Sequence, residues 1–215
     1  MEFPASADAP VALCMHGYGA DMRDLAGLAM ELDLKGPLRW IFPNGPLELP
    51  WGGRAWFPIA EERLAGYERG DGAFDLSAMR PGGMDAARDA VLGLVAALEA
   101  PWDRIILGGF SQGAMLSVEL ALAAPAQPRG AFLLSGNLVD AASLTPRAPS
   151  RKGLPFFQSH GTVDPILGFE GAKKLNEALT AAGWQGRFVE FHGPHAIPRE
   201  ALDGLGSFLD GLLTT

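Results

Sequence analysis

Gly109, Phe110, Ser111, Gln112 and Gly113 follow the apolar run Ile105, Ile106, Leu107 and precede a helical pattern. That context holds a serine on a strand-to-helix elbow, where the flanking glycines let the backbone turn sharply without a Cβ clash. A hydroxyl presented this way can attack an acyl carbonyl, provided that a histidine takes its proton and an acid orients the histidine. In a chain with 28 glycines the five-residue pattern alone carries little weight. Its meaning comes from strand, turn and helix around it, and from an acid and a histidine that follow in that order.

Four histidines are available. The alternating segment Arg187 to Phe191 breaks into His192, Gly193, Pro194, His195, so the base is expected in this late loop. His195 lies deeper in the loop, just ahead of the last helix, and is the choice; His192 is its rival. His16 and His160 each precede a glycine at a strand end and are expected to shape loops. The spacing of His192 and His195 raises a metal site, but no cysteine or carboxylate stands near them at ligand spacing, so none is expected. The acid is expected after the strand-like run 154–159, where Asp164 precedes Pro165. There its carboxylate can hold the His195 imidazole in the tautomer that accepts the Ser111 proton. Aspartate is also a common opener of such a turn, and the two roles are compatible.

Acyl transfer further needs donors for the charge that develops on the carbonyl oxygen. The N–H of Gln112, at the start of the elbow helix, is the first candidate. The second comes from the loop after the buried strand Val11 to Met15, where glycines flank Tyr18; its N–H is preferred over that of Gly17.

The segments MHGYGAD, FPNGP, RAWF, GFSQG, HGTVDPI and HGPHAIP run in this order from Met15 to Pro198. With them the chain resembles the phospholipase/carboxylesterase family of serine hydrolases, which includes acyl-protein thioesterases and small bacterial carboxylesterases. The resemblance implies an α/β-hydrolase fold, the triad Ser111, Asp164 and His195, an oxyanion hole from Tyr18 and Gln112, and ester or thioester substrates without a cofactor. It also places segment 43–83 beside the active site, with Trp56 and Phe57 as walls of an apolar acyl pocket. Self-association as a homodimer is a further family habit. Ala114 and Pro194 stand where the family often has glycine, and Ile166, Leu167, Gly168 replace its usual proline-containing acid loop. These departures bear on substrate preference rather than on the chemistry.

The elements that must position these residues follow from periodicity. Apolar runs at 11–16, 38–42, 104–109, 130–135, 154–159 and 187–191 alternate with helical patterns, which predicts a mainly parallel sheet with helices on both faces. Met84, Ala87, Val91, Leu94, Val95 and Leu98 form one apolar stripe, and Leu202, Leu205, Leu209 and Leu212 form another. Only about ten residues precede the first strand, too few for a full N-terminal hairpin of typical strands, so that hairpin is expected to be reduced. The Gly- and Pro-rich stretch 43–83, with Trp51, Trp56, Phe57 and Tyr67, is expected to border the site, and so is the loop 137–152. Residues 146–152 within the latter read as an exposed loop.

A chain of 215 residues with 48% hydrophobic and 20% charged content fits one α/β domain with a filled core. The net charge of −8 disfavours nucleic acid and electrostatic attachment to anionic membranes. No stretch reads as a bilayer span, and no basic region leads into a hydrophobic signal core, so a cytoplasmic enzyme is expected. The single Cys14 lies in an apolar strand and is expected to be a buried small hydrophobe. The expected reaction is carboxylic ester hydrolysis through an acyl-enzyme on Ser111, with a small-molecule ester or acyl substrate as the partner. Acyl-protein thioesterase and lysophospholipase are the enzymatic alternatives, and a non-catalytic ligand-binding module on a hydrolase fold is the alternative of another class.

Overall fold

The computed structural model describes residues 1–6, 8–59 and 75–214 of the chain; Tyr67 lies outside them. Seven strands form one sheet: β1 (Glu2–Phe3), β3 (Arg39–Ile41), β2 (Val11–Met15), β6 (Ile105–Phe110), β7 (Gly130–Leu134), β8 (Pro155–Gly161) and β9 (Gln185–Phe191), in that spatial order. All neighbouring pairs are parallel except β1 with β3. The expected reduction of the N-terminal hairpin takes a definite form: two residues, Glu2 and Phe3, pair with Ile41 and Trp40 at the sheet edge. Two further short strands, β4 (Leu47–Glu48) and β5 (Arg54–Ala55), make a separate antiparallel ribbon.

Successive side chains of a strand point to opposite faces, and both faces are buried here. Leu13, Met15, Leu107 and Leu133 join one core with α2 (Met84–Ala97), α3 (Gln112–Ala123) and α5 (Phe169–Ala181). Ala12, Cys14, Ile106, Phe132 and Leu134 join the other with α1 (Leu28–Glu31) and α6 (Arg199–Leu213). The α2 stripe is buried at Met84, Ala87, Val91 and Val95, and the α6 stripe at Leu205, Leu209 and Leu212. Cys14 is buried as expected, and burial pushes its thiol far above the ordinary value, so it has no nucleophilic character. Among the described residues no helix is long and apolar enough to cross a membrane.

Helix α3 is buried along Gln112 to Leu122 and lies directly against β2. Two glycines permit this. A Cβ on Gly113 would overlap the Met15 carbonyl, and one on Gly109 would overlap the same oxygen. The one charged residue of α3, Glu119, accepts from Arg80 at 2.9 Å, Arg147 at 2.9 Å and Arg88 at 3.2 Å. Burial alone would raise its carboxyl, but Arg147 and Arg80 hold it below the usual range. Through Arg80 this cluster ties the segment after residue 74 to α2, α3 and α4 (Ala141–Arg147).

Residues 137–152 differ from their expected loop. Asp140 caps α4 by accepting from Ser143 N–H, Arg147 pairs with Glu119, and Arg151 donates to Ala121 and Ala124 carbonyls. Asn137, Val139, Asp140, Ser143 and Leu144 line a small cavity of about 20 Å³. None of them borders the larger cavity that holds Ser111.

Gly113→Ala should destabilise the fold by about 3 kcal/mol, because the methyl meets backbone that cannot rotate away. Gly93→Ala, whose Cβ would face open space on α2, should be neutral or stabilise by up to about 1 kcal/mol. Thermal unfolding of the two variants side by side checks both.

Candidate active site

Ser111 follows the last residue of β6 and caps α3 with φ 55° and ψ −115°, a combination that a non-glycine residue adopts only under constraint. Its N–H donates to Leu134 O on β7 at 2.8 Å, and its carbonyl accepts from Met115 N–H at 3.1 Å. The elbow is thus fixed on both sides. Gln112 is the first residue of α3, so its N–H is one of the groups that a helix leaves without an intrahelical partner.

The loop after β2 closes on this elbow. A Cβ on Gly17 would sit 3.4 Å from Ser111 Cβ and 3.3 Å from the Phe110 ring, so glycine allows the approach. The Gly19 N–H is spent on Arg54 O and the Ala20 N–H on Gly17 O. Behind the loop, the buried His16 donates from Nδ1 to Gly17 O at 2.7 Å and accepts at Nε2 from Gly45 N–H at 2.9 Å. Burial lowers its pKa, in keeping with a neutral ring that props the loop.

Gln112 also works through its side chain. Oε1 accepts from Trp56 N–H at 2.8 Å, and Nε2 donates to Phe57 O at 2.7 Å. Both contacts are buried and tie the segment after β5 to the elbow helix. Nothing in the sequence pointed to this bridge, because the two partners are backbone groups some fifty-five residues away.

Asp164 stands in the turn after β8. Its Oδ2 accepts from His195 Nδ1 at 2.6 Å, and its Oδ1 accepts from Ile166 N–H at 2.8 Å and Leu167 N–H at 2.9 Å. Burial pushes this carboxyl up, but hydrogen bonds from His160 and His195 more than reverse that and hold it far below the ordinary range. His195 is partly buried, with its ring 4.6 Å from that of Phe110, whereas His192 is exposed. The loop that carries His195 is anchored by Ser135 Oγ, which donates to Ala196 O at 3.2 Å. It packs so closely on β8 that a Cβ on Gly161 would overlap the Gly193 and Pro194 carbonyls.

Ser111, His195, Gly17, Tyr18 and Gln112 all open onto one cavity of about 440 Å³. Its wall is mainly apolar and includes Phe57, Pro58, Ile59, Leu76, Met79 and Met115. Segment 43–83 therefore contributes described residues to the wall on both sides of residues 60–74. Trp56 does not line it, contrary to the expectation. Its indole is 98% buried, donates to His16 O at 2.9 Å and lies 5.2 Å from the His16 ring, so it supports the loop from behind. Phe57, the next residue along, lines the cavity instead. One contact of the acid was missed: His160 Nε2 lies 3.2 Å from Asp164 Oδ2. The only hint was the spacing of four residues around the tight turn that Asp164 N–H closes onto Gly161 O.

A model of the phospholipase/carboxylesterase family matches residues 1–213. The chain belongs to this family. Acyl-protein thioesterase 1 of Mycosarcoma maydis is 28% identical over 93% of this chain and 89% of its own length. The crystal structure of esterase PE8 superposes with a TM-score of 0.82, at 26% identity, over 99% of this chain and 98% of that one. Acyl-protein thioesterase 2 of Zea mays gives a TM-score of 0.78 at 25% identity, with 99% and 98% coverage. The fold is the α/β-hydrolase fold, and this phospholipase/carboxylesterase family member is an enzyme of the serine hydrolase class.

Two outcomes test the site's construction. Gln112→Ala leaves a buried N–H and a buried carbonyl unpaired and should destabilise by about 2–4 kcal/mol, read from urea midpoints. For Asp164 the folded pKa is depressed, so its contribution is present above the unfolded value and is lost as pH falls through the folded one. Wild-type stability should therefore decline below about pH 4, and Asp164→Asn should show less of that decline over the same range.

Proposed function

We propose that the chain is a serine carboxylesterase that hydrolyses carboxylic esters through an acyl-enzyme on Ser111. The observation that carries this reading is the 2.6 Å Asp164–His195 pair, opening onto the same apolar cavity as a serine on a constrained elbow. Asp164 holds the hydrogen on His195 Nδ1, which leaves Nε2 as the acceptor for the Ser111 proton. The Ser111 oxygen adds to the acyl carbonyl, and the negative charge gathers on the carbonyl oxygen. The N–H groups of Gln112 and Tyr18 are the donors assigned to that oxygen. Collapse expels the alcohol, which takes the proton back from His195. Water then repeats the sequence against the acyl-enzyme, with His195 again as base, and releases the acid.

The apolar wall supports an acyl chain as the part of the substrate that is buried, with Phe57, Ile59 and Met79 among its contacts. Catalysis on acyl-protein thioesters is the second reading, favoured by the names of the relatives from Mycosarcoma maydis and Zea mays. The same steps serve it, with a thiol in place of the alcohol.

Chromogenic acyl esters from acetyl to long-chain, and a matched thioester, separate these readings when assayed with wild type and Ser111→Ala. The wild type should hydrolyse the oxyesters, and Ser111→Ala should lose roughly 10⁴-fold or more of kcat along with labelling by a serine-directed phosphonate. A preference for the thioester moves the assignment to the second reading. Equal activity in both proteins would sink the Ser111 mechanism.

A further inference from the structure

His160 takes no part in the reaction just described, yet it reaches the same carboxylate as His195. It lies at the end of β8 and is fully buried. Its Nε2 is 2.7 Å from Leu167 O and 3.2 Å from Asp164 Oδ2. A carbonyl oxygen only accepts, so Nε2 carries the hydrogen, which is shared between a close carbonyl and a more distant carboxylate. Nδ1 is buried and meets no hydrogen-bond partner among the described residues, so a hydrogen placed there would have no acceptor.

We propose that His160 is a positioning residue, which holds Asp164 and the turn 164–167 so that Oδ2 faces His195. The proposal rests on the reading of Asp164 and His195 as acid and base. Four donors meet this carboxylate: Ile166 and Leu167 N–H at Oδ1, and the two imidazoles at Oδ2. A carboxylate offers about four lone-pair sites, so the set leaves no alternative rotation with equal bonding. His160 fastens the turn twice. It bonds the Leu167 carbonyl, while the Leu167 N–H bonds Asp164 Oδ1. Without its N–H the Leu167 carbonyl loses its buried donor, and the Oδ2 lone pairs are shared with one imidazole instead of two.

Glutamine and methionine test this because their side chains have nearly equal reach and only glutamine offers an N–H. His160→Met should lower kcat on a chromogenic ester roughly ten-fold, the loss expected for one hydrogen bond to a charged group, and leave KM within a factor of about two. His160→Gln should recover most of that loss. The phosphonate labelling rate, taken on protein shown folded by circular dichroism, should follow kcat in both variants. A role in stability alone predicts matched kcat in the folded Gln and Met proteins, and that result overturns the proposal. Imidazole ¹⁵N spectra of the wild type provide a reading independent of variant folding: hydrogen on Nε2 of His160 is expected, and hydrogen on Nδ1 overturns it. Ser111→Ala in the same assay keeps the two failures apart. Activity surviving there removes the underlying mechanism, whereas an inactive Ser111→Ala beside equal Gln and Met variants removes only the role of His160.

Discussion

The Met15 carbonyl at the end of β2 touches both Gly109 and Gly113, and the rest of the site depends on that approach. It draws the start of α3 against the central strand pair, where Met15 is in register with Gly109. Between those glycines Ser111 takes the strained conformation. Such strain costs about 1–3 kcal/mol. Burial of Met115, Leu116, Val118, Leu120 and Leu122 behind it, at about 1.5–3 kcal/mol per side chain, more than offsets that. An apolar helix with almost no polar face is therefore more than a core element: its burial holds the serine at the cavity wall.

Two carboxylates are taken into the protein by different means. Glu119 is surrounded by guanidinium groups, so its charge is cancelled locally and it functions as a tie between α2, α3, α4 and the segment around Arg80. Among the described residues Asp164 meets no lysine or arginine at hydrogen-bond distance; backbone N–H groups and imidazoles hold it. Hydrogen bonds keep it ionised without cancelling its field, so that field acts on the His195 imidazole when a proton arrives there. An arginine in the same place would hold the carboxylate equally well and remove its effect on the histidine. The contrast separates a buried acid that ties elements together from one that faces an imidazole at the cavity.

Strands β2, β3, β6, β7 and β8 were readable because buried strands appear as short apolar runs between turn residues, and the largely exposed edge strand β9 was readable from its alternation. Strands β1, β4 and β5 were not: two residues have no period. Ser111, Asp164 and His195 stand out as residue types at strand ends, where the chain leaves the sheet on the same side. The errors arose where tertiary contacts decide. Pro146 and the serines made 137–152 resemble a loop, but the Arg147–Glu119 pair and the Asp140 cap stabilise a helix there. Trp56 and Phe57 are adjacent and both aromatic, so composition could not tell the residue behind the loop from the one in the cavity wall. His160 looked like a loop-former because its partners come together only when the Asp164 turn closes.

The cavity combines two kinds of wall, and they have different freedom to change. Ser111, Gln112 and His195 come from strand ends and a helix start whose backbone is fixed by buried contacts on several sides. Pro58, Ile59, Leu76 and Met79 come from segments flanking residues 60–74, joined to the body through Gln112 on one side and, on the other, through Arg80 and the backbone bonds of Leu76 O with Asp140 N–H and Ser77 O with Ala141 N–H. Substitution in those segments alters the shape of the cavity and leaves the elbow and the acid–histidine pair untouched. The two anchors are themselves unequal. Gln112 sits at the start of the elbow helix, so a change there disturbs wall and elbow together, while the Arg80 cluster meets α3 at Glu119, about two turns beyond Ser111. Where the wall hangs from Gln112 a substitution therefore reaches the elbow as well, whereas on the other side, held by the Arg80 cluster and by backbone bonds to Asp140 and Ala141, it reaches α3 only at Glu119.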